Sequence, residues 1–219
     1  MKKIFFAILT TAFLFSCGGS SNSNSNSDTA GSESKETTKD ALIASDFDYK
    51  MLGDEAQVKK IMDGVIAKAG DNISKLDKID IWISRPSKEG PVKLNKPDFS
   101  TIILTHLDPN DAKKLFEVRY NSEKGEWNKG ESKSIRLVTG NAETFVLANE
   151  MYDASALTSD MVAKAVKDAL AKYGDANKYS DQWVKGIIIE KGKIEVSIRG
   201  ILAANDLEKT EYYKTKIGK

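Results

Sequence analysis

Gly186-Ile187-Ile188-Ile189-Glu190-Lys191-Gly192-Lys193-Ile194-Glu195-Val196-Ser197-Ile198 is the stretch that decides the fold of this chain. Apolar residues alternate with polar ones on the far side of Lys191-Gly192, and on the near side Ile187 and Ile189 lie two positions apart within a run of three isoleucines. Alternation with a period of two is typical of strands that bury one face. A two-residue connection ending in Gly is typical of a tight hairpin. The stretch therefore predicts a β-hairpin with one buried face.

In two segments outside this hairpin, apolar residues recur every three or four positions instead of every two. They span residues 54–70 and 159–174, and each ends in Gly followed by Asp. Such spacing predicts an amphipathic helix with one buried stripe, and each Gly is expected to close its helix in the left-handed conformation. The predicted stripes are Val58, Ile61, Met62, Val65, Ile66 and Ala69 in the first helix, and Val162, Ala165, Val166, Ala169, Leu170 and Tyr173 in the second.

Period-two segments follow each helix, so strands are expected after both. Ile79, Ile81 and Ile83 alternate with polar residues or Trp after the first helix. Further strands are predicted over residues 100–107, 115–121, 134–138 and 144–148. Short turns join these segments, which favours a mainly antiparallel sheet with two amphipathic helices packed on it, an α+β fold.

The order of helix and then strands occurs twice within a folded part that spans residues 41–219. Residues 41–153 and 154–219 would be the two halves of a tandem helix-plus-meander repeat. The shared ending Ala-Lys-x-Gly is also common among unrelated helices. Duplication and coincidence therefore both stay open at this point.

The N-terminus carries a different kind of signal. Lys2 and Lys3 precede a short apolar run, and Leu14-Phe15-Ser16-Cys17 follows it. The run is shorter than the ~20 apolar residues that a membrane-spanning helix needs. Its layout is typical of an export signal, so residues 1–16 are interpreted as a cleaved signal peptide.

The residues at positions 14–17 resemble the lipobox of bacterial lipoproteins. The resemblance implies cleavage before Cys17 and attachment of a diacylglycerol to its thiol, usually with a further acyl chain on the new amino terminus. An ordinary secretory signal, in which Cys17 would be a bystander, is the alternative. Two or more acyl chains anchor a protein stably, because each buried methylene contributes ~0.8 kcal/mol. The membrane is therefore an expected partner through the lipid on Cys17.

Residues 17–40 are expected to form a disordered tether, because Ala is their only apolar residue after Cys17. As a random coil the segment would span about 25 Å. Gly18 and Gly19 follow the acylated Cys and lack the Asp that retains some lipoproteins in the inner membrane. By resemblance to that rule, the predicted location is the cell envelope with the outer membrane favoured.

Charge and cysteine content exclude several classes of function. Without Lys2 and Lys3 the mature chain would have 31 basic against 32 acidic residues. A nearly neutral chain lacks the basic surface expected of a nucleic-acid-binding protein. Cys17 is the single cysteine, so an acylated Cys17 would leave no thiol for a disulfide or thiolate metal site. No cofactor or metal site is predicted.

Few residues are candidates for catalysis. His106 is the only histidine, and no second ligand is spaced on its own element, so a structural role is favoured over a zinc site. No serine lies in a G-x-S-x-G motif. The pairs Asp46/Asp48 and Asp108/Asp111 do not fit a calcium loop and are interpreted as solvated carboxylates. We predict no catalytic residue.

The tryptophans are candidates for recognition. Trp82 lies on the polar side of its alternating strand, Trp127 follows a Gly-containing turn in polar surroundings, and Trp183 is expected to start a strand. Each is either a core residue or part of an exposed binding surface. Residues 115–120, the turn and Trp127 together resemble the PepSY-like and beta-lactamase-inhibitor-like modules of secreted bacterial proteins. That resemblance implies an antiparallel meander beside a helix and no particular activity.

Two functions remain for the whole chain. The favoured hypothesis is a lipid-anchored, non-catalytic cell-envelope protein that binds another protein, a peptide or a cell-wall component. The alternative is a lipid-anchored hydrolase of cell-wall, sugar or ester bonds. A pocket with convergent titratable groups of shifted pKa would favour the enzyme, and a flat sheet without a pocket would favour the binding protein.

Overall fold

The computed structural model describes residues 41–85, 99–138 and 140–218. The predictions for the signal peptide, for Cys17 and for the tether lie outside the described residues. Over those residues the fold is α+β, with two α-helices and one antiparallel sheet of eight strands.

Both predicted helices are present, and each begins at a side-chain cap. Helix α1 spans Glu55–Ala69, and the carboxylate of Asp54 accepts a hydrogen bond from the Gln57 N–H at 2.9 Å. Helix α2 spans Ser159–Tyr173, and the Thr158 hydroxyl accepts one from the Met161 N–H at 3.2 Å. Such caps pair amides that the first turn of a helix leaves without a partner.

The eight strands form one continuous sheet. Every pair of neighbouring strands is antiparallel, and the order is β4-β3-β2-β1-β6-β7-β8, with β5 also pairing with β3. The strands are β1 Leu76–Ser84, β2 Phe99–Leu107, β3 Lys114–Asn121, β4 Glu126–Trp127, β5 Glu131–Ser134, β6 Tyr179–Glu190, β7 Lys193–Leu202 and β8 Glu208–Lys216.

The first strand after each helix lies at the centre of the sheet. Helix α1 leads to the meander β1-β2-β3, and α2 leads to the meander β6-β7-β8. The two meanders join where β1 pairs with β6. Each half therefore contributes three long strands to the same sheet and one helix that packs on it.

One face of the sheet, here called the inner face, forms the core with the helices. Ile79 and Ile81 of β1 lie opposite Ile189 and Ile187 of β6, and all four side chains are fully buried. The stripes of both helices belong to the same cluster of buried residues. Burial of such side chains is the main source of stability here, at ~1.5 to 3 kcal/mol each.

The hairpin predicted at Lys191-Gly192 is confirmed. Strand β6 ends at Glu190 and β7 begins at Lys193, with φ of 50° at Lys191 and 69° at Gly192. Two consecutive positive φ angles are typical of the type I′ turn, whose twist matches that of the flanking strands. Lys191 is thus a non-glycine residue in the left-handed region.

Two predicted strands are wrong. Residues 135–138 contain no strand, because β5 starts three residues before the predicted strand and ends at Ser134. Within β5, Lys133 Nζ lies 2.6 Å from the carboxylate of Glu117. Residues 144–148 contain no strand either, because Leu147–Glu150 forms a 3-10 helix. Leu147 in that helix is buried, and the preceding Val146 is exposed.

Details at the helix ends also differ from expectation. Gly70 has a positive φ of 51°, but Gly174 has φ −66° and ψ 122°. A Cβ atom at Gly174 would lie 2.5 Å from the Leu170 carbonyl oxygen, so close approach of the backbone explains this glycine. Ile66 and Leu170 pack against the core but are only half-buried.

Candidate binding surface

The outer face of the sheet, opposite the helices, carries the clearest group of interacting polar and aromatic side chains. Alternation along the strands places Trp82 of β1 in one row with Thr101 of β2, Gly186 of β6 and Ser197 of β7. This confirms that Trp82 lies on the polar side of its strand.

None of the helices in the described ranges is long and apolar enough to cross a membrane.

Trp82 lies flat over a glycine of the neighbouring strand. A Cβ atom at Gly186 would come within 2.9 Å of the indole ring, so only glycine leaves room for it. The ladder between β6 and β7 is irregular between Val184 and Gly186, which is where Lys185 lies. The Lys185 Nζ atom is 5.1 Å from the indole centroid, within the range of a cation–π interaction.

Asp181 of β6 binds three donors from two distant segments. Its carboxylate accepts hydrogen bonds from the Tyr49 hydroxyl at 2.7 Å, Lys50 Nζ at 2.6 Å and Arg85 Nη1 at 2.9 Å. Burial by itself would raise the pKa of Asp181, but the hydrogen bonds and positive charges outweigh it and hold the pKa below its ordinary value. Asp181 thus connects the segment before α1 and the end of β1 to β6.

The Tyr49 ring joins this carboxylate to an aromatic pair. It meets Trp183 edge-to-face, with centroids 5.3 Å apart and an interplanar angle of 89°. The guanidinium of Arg85 lies 5.3 Å and Lys50 Nζ lies 5.5 Å from the Tyr49 centroid. Edge-to-face pairs and cation–π contacts add to the stability of such a cluster. Trp183 lies within β6 and is 4% exposed, so the expectation that it starts a strand is wrong.

Trp183 and Arg199 lie opposite each other on this face, and each has a donor without a partner. Trp183 Nε1 and Arg199 Nε are buried and have no hydrogen-bond partner among the described residues. Arg199 Nη2 binds Glu208 at 2.7 Å. Burial lowers the pKa of Lys185, and the positive charge of Arg199 lowers it further. The strand pairing therefore concentrates positive charge beside Trp183.

We call these residues the aromatic–basic surface. Its members contribute three aromatic rings, four positive charges and one carboxylate, and Glu208 adds a second carboxylate at its border. Tyr49 and Trp82 are half-buried and can offer ring surface to a ligand, whereas Trp183 is buried and supports the Tyr49 ring. Arg and Lys supply donors for carboxylates, phosphates or sugar hydroxyls. The members are Tyr49, Lys50, Trp82, Arg85, Asp181, Trp183, Lys185 and Arg199.

A second group of titratable residues lies where β1 begins. Burial raises the pKa of Asp77 to about 6, and the negative charge of Glu190 raises it further. Burial of the Tyr152 hydroxyl raises its pKa, and the negative charges of Asp77 and Glu190 raise it further. This hydroxyl has no hydrogen-bond partner among the described residues. Two carboxyl groups in different environments are a feature of general acid catalysis as well as of structural sites.

The candidates named from the sequence do not meet in one site. His106 is buried on the inner face, with Nδ1 2.7 Å from the Leu107 carbonyl oxygen and its ring 5.5 Å from that of Phe116. Trp127 is half-buried and meets Tyr120 edge-to-face. No group of three His, Cys, Asp or Glu residues that could hold a metal ion occurs within the described ranges.

The carboxylates considered for calcium instead bind their own turns. Asp108 is 3% exposed, so its interpretation as a solvated carboxylate is wrong. It accepts a hydrogen bond from the Asn110 N–H of its own turn at 2.8 Å and one from the Ser132 hydroxyl of β5. Asp111 accepts one from the Lys113 N–H at 3.0 Å, and Asp48 one from the Lys50 N–H at 2.7 Å. These are the local bonds that make Asp frequent in turns. The structure gives no reason to group them as ion ligands.

Comparison with known proteins adds no identification. No protein-family model, curated protein or solved structure matches the chain. The function must therefore be argued from the residues themselves.

Sequence analysis missed most of the aromatic–basic surface. Tyr49 and Asp181 are 132 residues apart, and Arg85 and Asp181 are 96 apart. Nothing local marks them as partners, since each is an ordinary polar residue beside a strand or turn. Of its eight members, the sequence pointed only to Trp82 and Trp183, which were named as candidates for recognition.

Proposed function

We propose that the chain is a lipid-anchored, non-catalytic protein of the cell envelope that binds another protein, a peptide or a cell-wall component. The sequence Leu14-Phe15-Ser16-Cys17 carries the anchor part of this proposal. Residues 17–40 would serve as the tether, and the outer membrane is the favoured location. The aromatic–basic surface supports the binding part, because it brings half-buried aromatic rings together with several cationic donors.

Metabolic labelling tests the anchor. Cells that express the full chain are given an alkyne analogue of palmitate, and the protein is followed in the membrane fraction. We expect label on the wild-type chain, and we expect its loss together with release from membranes in Cys17→Ser, because Cys17 is the only thiol. Equal labelling of Cys17→Ser would refute the lipoprotein assignment.

Crosslinking in cells tests the binding role. Partners captured by the wild-type chain are compared with those captured by Trp82→Ala and by Arg85→Ala. Trp127→Ala is the matched control, since it removes another half-buried tryptophan whose contact is with Tyr120. We expect capture to fall at least tenfold in the first two variants and to persist in the control. Equal capture by all variants would place binding elsewhere on the chain.

The alternative function, a lipid-anchored hydrolase, has one observation in its favour. Asp77 is a carboxyl group with its pKa raised to about 6 beside Glu190 and a buried tyrosine hydroxyl. A carboxylic acid with such a pKa can donate a proton to a leaving group near neutral pH. Incubation with peptidoglycan, oligosaccharides and chromogenic esters would test this. Turnover that falls by orders of magnitude in a folded Asp77→Asn variant would favour the enzyme.

We also propose that the two halves of the folded part, 41–153 and 154–219, are a tandem repeat. Helices α1 and α2 both have 15 residues, and each precedes a three-stranded antiparallel meander. The meanders meet through their first strands, as two copies related by a two-fold axis would. Superposition of an experimental structure tests this: equivalent helix and strand positions should overlay, and unrelated backbones would contradict duplication.

A further inference from the structure

Strand β8 forms a long edge of the sheet. It spans nine residues, pairs with β7 along its length without a register shift, and is the last strand in the order of the sheet. The opposite edge ends in β4 and β5, which have two and four residues. Proteins usually shorten, bend or cover edge strands because an open edge pairs with other chains. A regular nine-residue edge therefore suits pairing with a further strand.

The charges of β8 are arranged so that the strand complements itself when reversed. Glu208, Lys209 and Glu211 lie in its first half, where Lys209 forms an ion pair with Glu211, and Lys214 and Lys216 lie in its second half. Tyr212 is the middle residue, and 54% of it is exposed. Opposite charges across an antiparallel pair are favourable and like charges are unfavourable. Two reversed copies centred on Tyr212 would place Glu208 of each copy opposite Lys216 of the other, with Lys209 opposite Thr215.

The geometry points to a second copy of this chain as the occupant of the β8 edge. We propose a symmetric dimer in which the two β8 strands pair antiparallel, with Tyr212 opposite Tyr212 and Glu208 opposite Lys216. In this dimer the helices of both copies lie on the same side of the joined sheet. Each residue of β8 must then pair with a residue of the other β8 whose side chain points to the same face of the sheet. Centring on Tyr212 meets this condition and leaves no like charges directly opposite, whereas centring on Glu211 would oppose two carboxylates.

The existing contacts of β8 are compatible with such pairing. The Tyr173 hydroxyl of α2 donates to the Tyr212 carbonyl oxygen at 3.1 Å. A carbonyl oxygen has two lone pairs, so this bond leaves an acceptor position. On the outer face Lys214 binds Glu195 at 2.6 Å and Glu208 binds Arg199 at 2.7 Å. Glu208 and Lys214 are each more than 45% exposed and remain accessible to a partner strand.

Measurement of the molecular mass and crosslinking through a single cysteine test the dimer in a protein that carries no lipid. The full chain with Cys17→Ser is purified, and its mass is measured by sedimentation across micromolar concentrations. Tyr212→Cys is then treated with a short bifunctional maleimide, and Thr210→Cys is the control. We expect a dimer and efficient crosslinking at position 212 only. A monomer at every concentration, or equal crosslinking at both positions, overturns the proposal.

Charge reversal supplies a second, independent readout. Glu208→Lys and Lys216→Glu each place like charges opposite one another at both ends of the interface. Each should raise the dissociation constant at least tenfold, and the double variant should restore it to within about threefold, while circular dichroism verifies that every variant is folded. Failure of the double variant to recover dimerisation contradicts the register.

Discussion

Asp77 is a residue whose ionisation affects the stability of the folded chain near neutral pH. Burial raises its pKa to about 6, and Glu190 raises it further. The folded state thus binds this proton more tightly than the unfolded chain, whose Asp has a pKa of ~3.9. The stabilisation from Asp77 is fully present below pH ~4 and is lost as pH rises through 6.

Asp77→Asn should therefore stabilise the protein above pH 6. Asn resembles the protonated acid, so we expect a gain of up to about 3 kcal/mol near pH 7.5 and almost none at pH 4. Urea unfolding at the two pH values measures the difference. Asp63→Asn, at an exposed position of α1, serves as the control and should differ little from wild type at either pH. A stability gain that is equal at both pH values would show that Asp77 is not the titrating group.

Lys191 is strained by its backbone conformation. It has a φ of 50° in the first position of the β6–β7 turn, where a side chain is disfavoured by ~1 to 2 kcal/mol. Lys191→Asn should stabilise the protein by ~0.5 to 1 kcal/mol, because Asn tolerates this region and is preferred in type I′ turns.

Thermal unfolding of Lys191→Asn measures this effect. Lys193→Asn is the matched control, since Lys193 is the first residue of β7 and gains nothing from a turn-forming side chain. A melting temperature for Lys191→Asn equal to or below that of wild type would contradict the strain argument.

At the scale of elements, both helices are held by the stripes they bury. Ile61 of α1 is 1% exposed and Val162 of α2 is fully buried, whereas Lys68 and Lys167 are exposed. Ile61→Ala should lower the free energy of unfolding by ~2 to 5 kcal/mol, and Val162→Ala by about 1.5 to 3 kcal/mol.

Lys68→Ala and Lys167→Ala are the controls on the same helices and should change stability by less than ~0.5 kcal/mol. Chemical denaturation of the four variants gives these values. Half-buried Ile66 and Leu170 should show intermediate losses on truncation. Equal effects of the buried and exposed positions would contradict the packing of α1 and α2 on the inner face.

At the scale of the whole molecule, the tether and the folded part are expected to be independent. Residues 20–38 contain Ala as their only apolar residue type and cannot bury enough surface to offset the entropy of ordering. Deletion of these residues should leave the melting temperature of the Cys17→Ser chain unchanged. Scanning calorimetry of the intact and shortened chains checks this, and a fall of several degrees would mean that the tether packs on the sheet.

The sequence by itself determined the elements whose signal is periodic and local. The stripes of α1 and α2, the alternation of β1 and the turn at Lys191-Gly192 each follow from the spacing of a few neighbouring residues. The α+β class follows from their order. Residues 134–138 and 144–148 alternate only weakly, and they form no strand over 135–138 and a 3-10 helix from Leu147 to Glu150.

Only the tertiary structure decided which strands are neighbours and which side chains meet. Pairing of β1 with β6 places Trp82 over Gly186 and draws Asp181 towards Arg85, although these residues are about a hundred positions apart in the chain. The position of β8 as the last strand among the described residues likewise follows from strand order. Periodicity reports which face of an element is buried, whereas the partner of that face is set by packing of the whole core, and no local pattern encodes it.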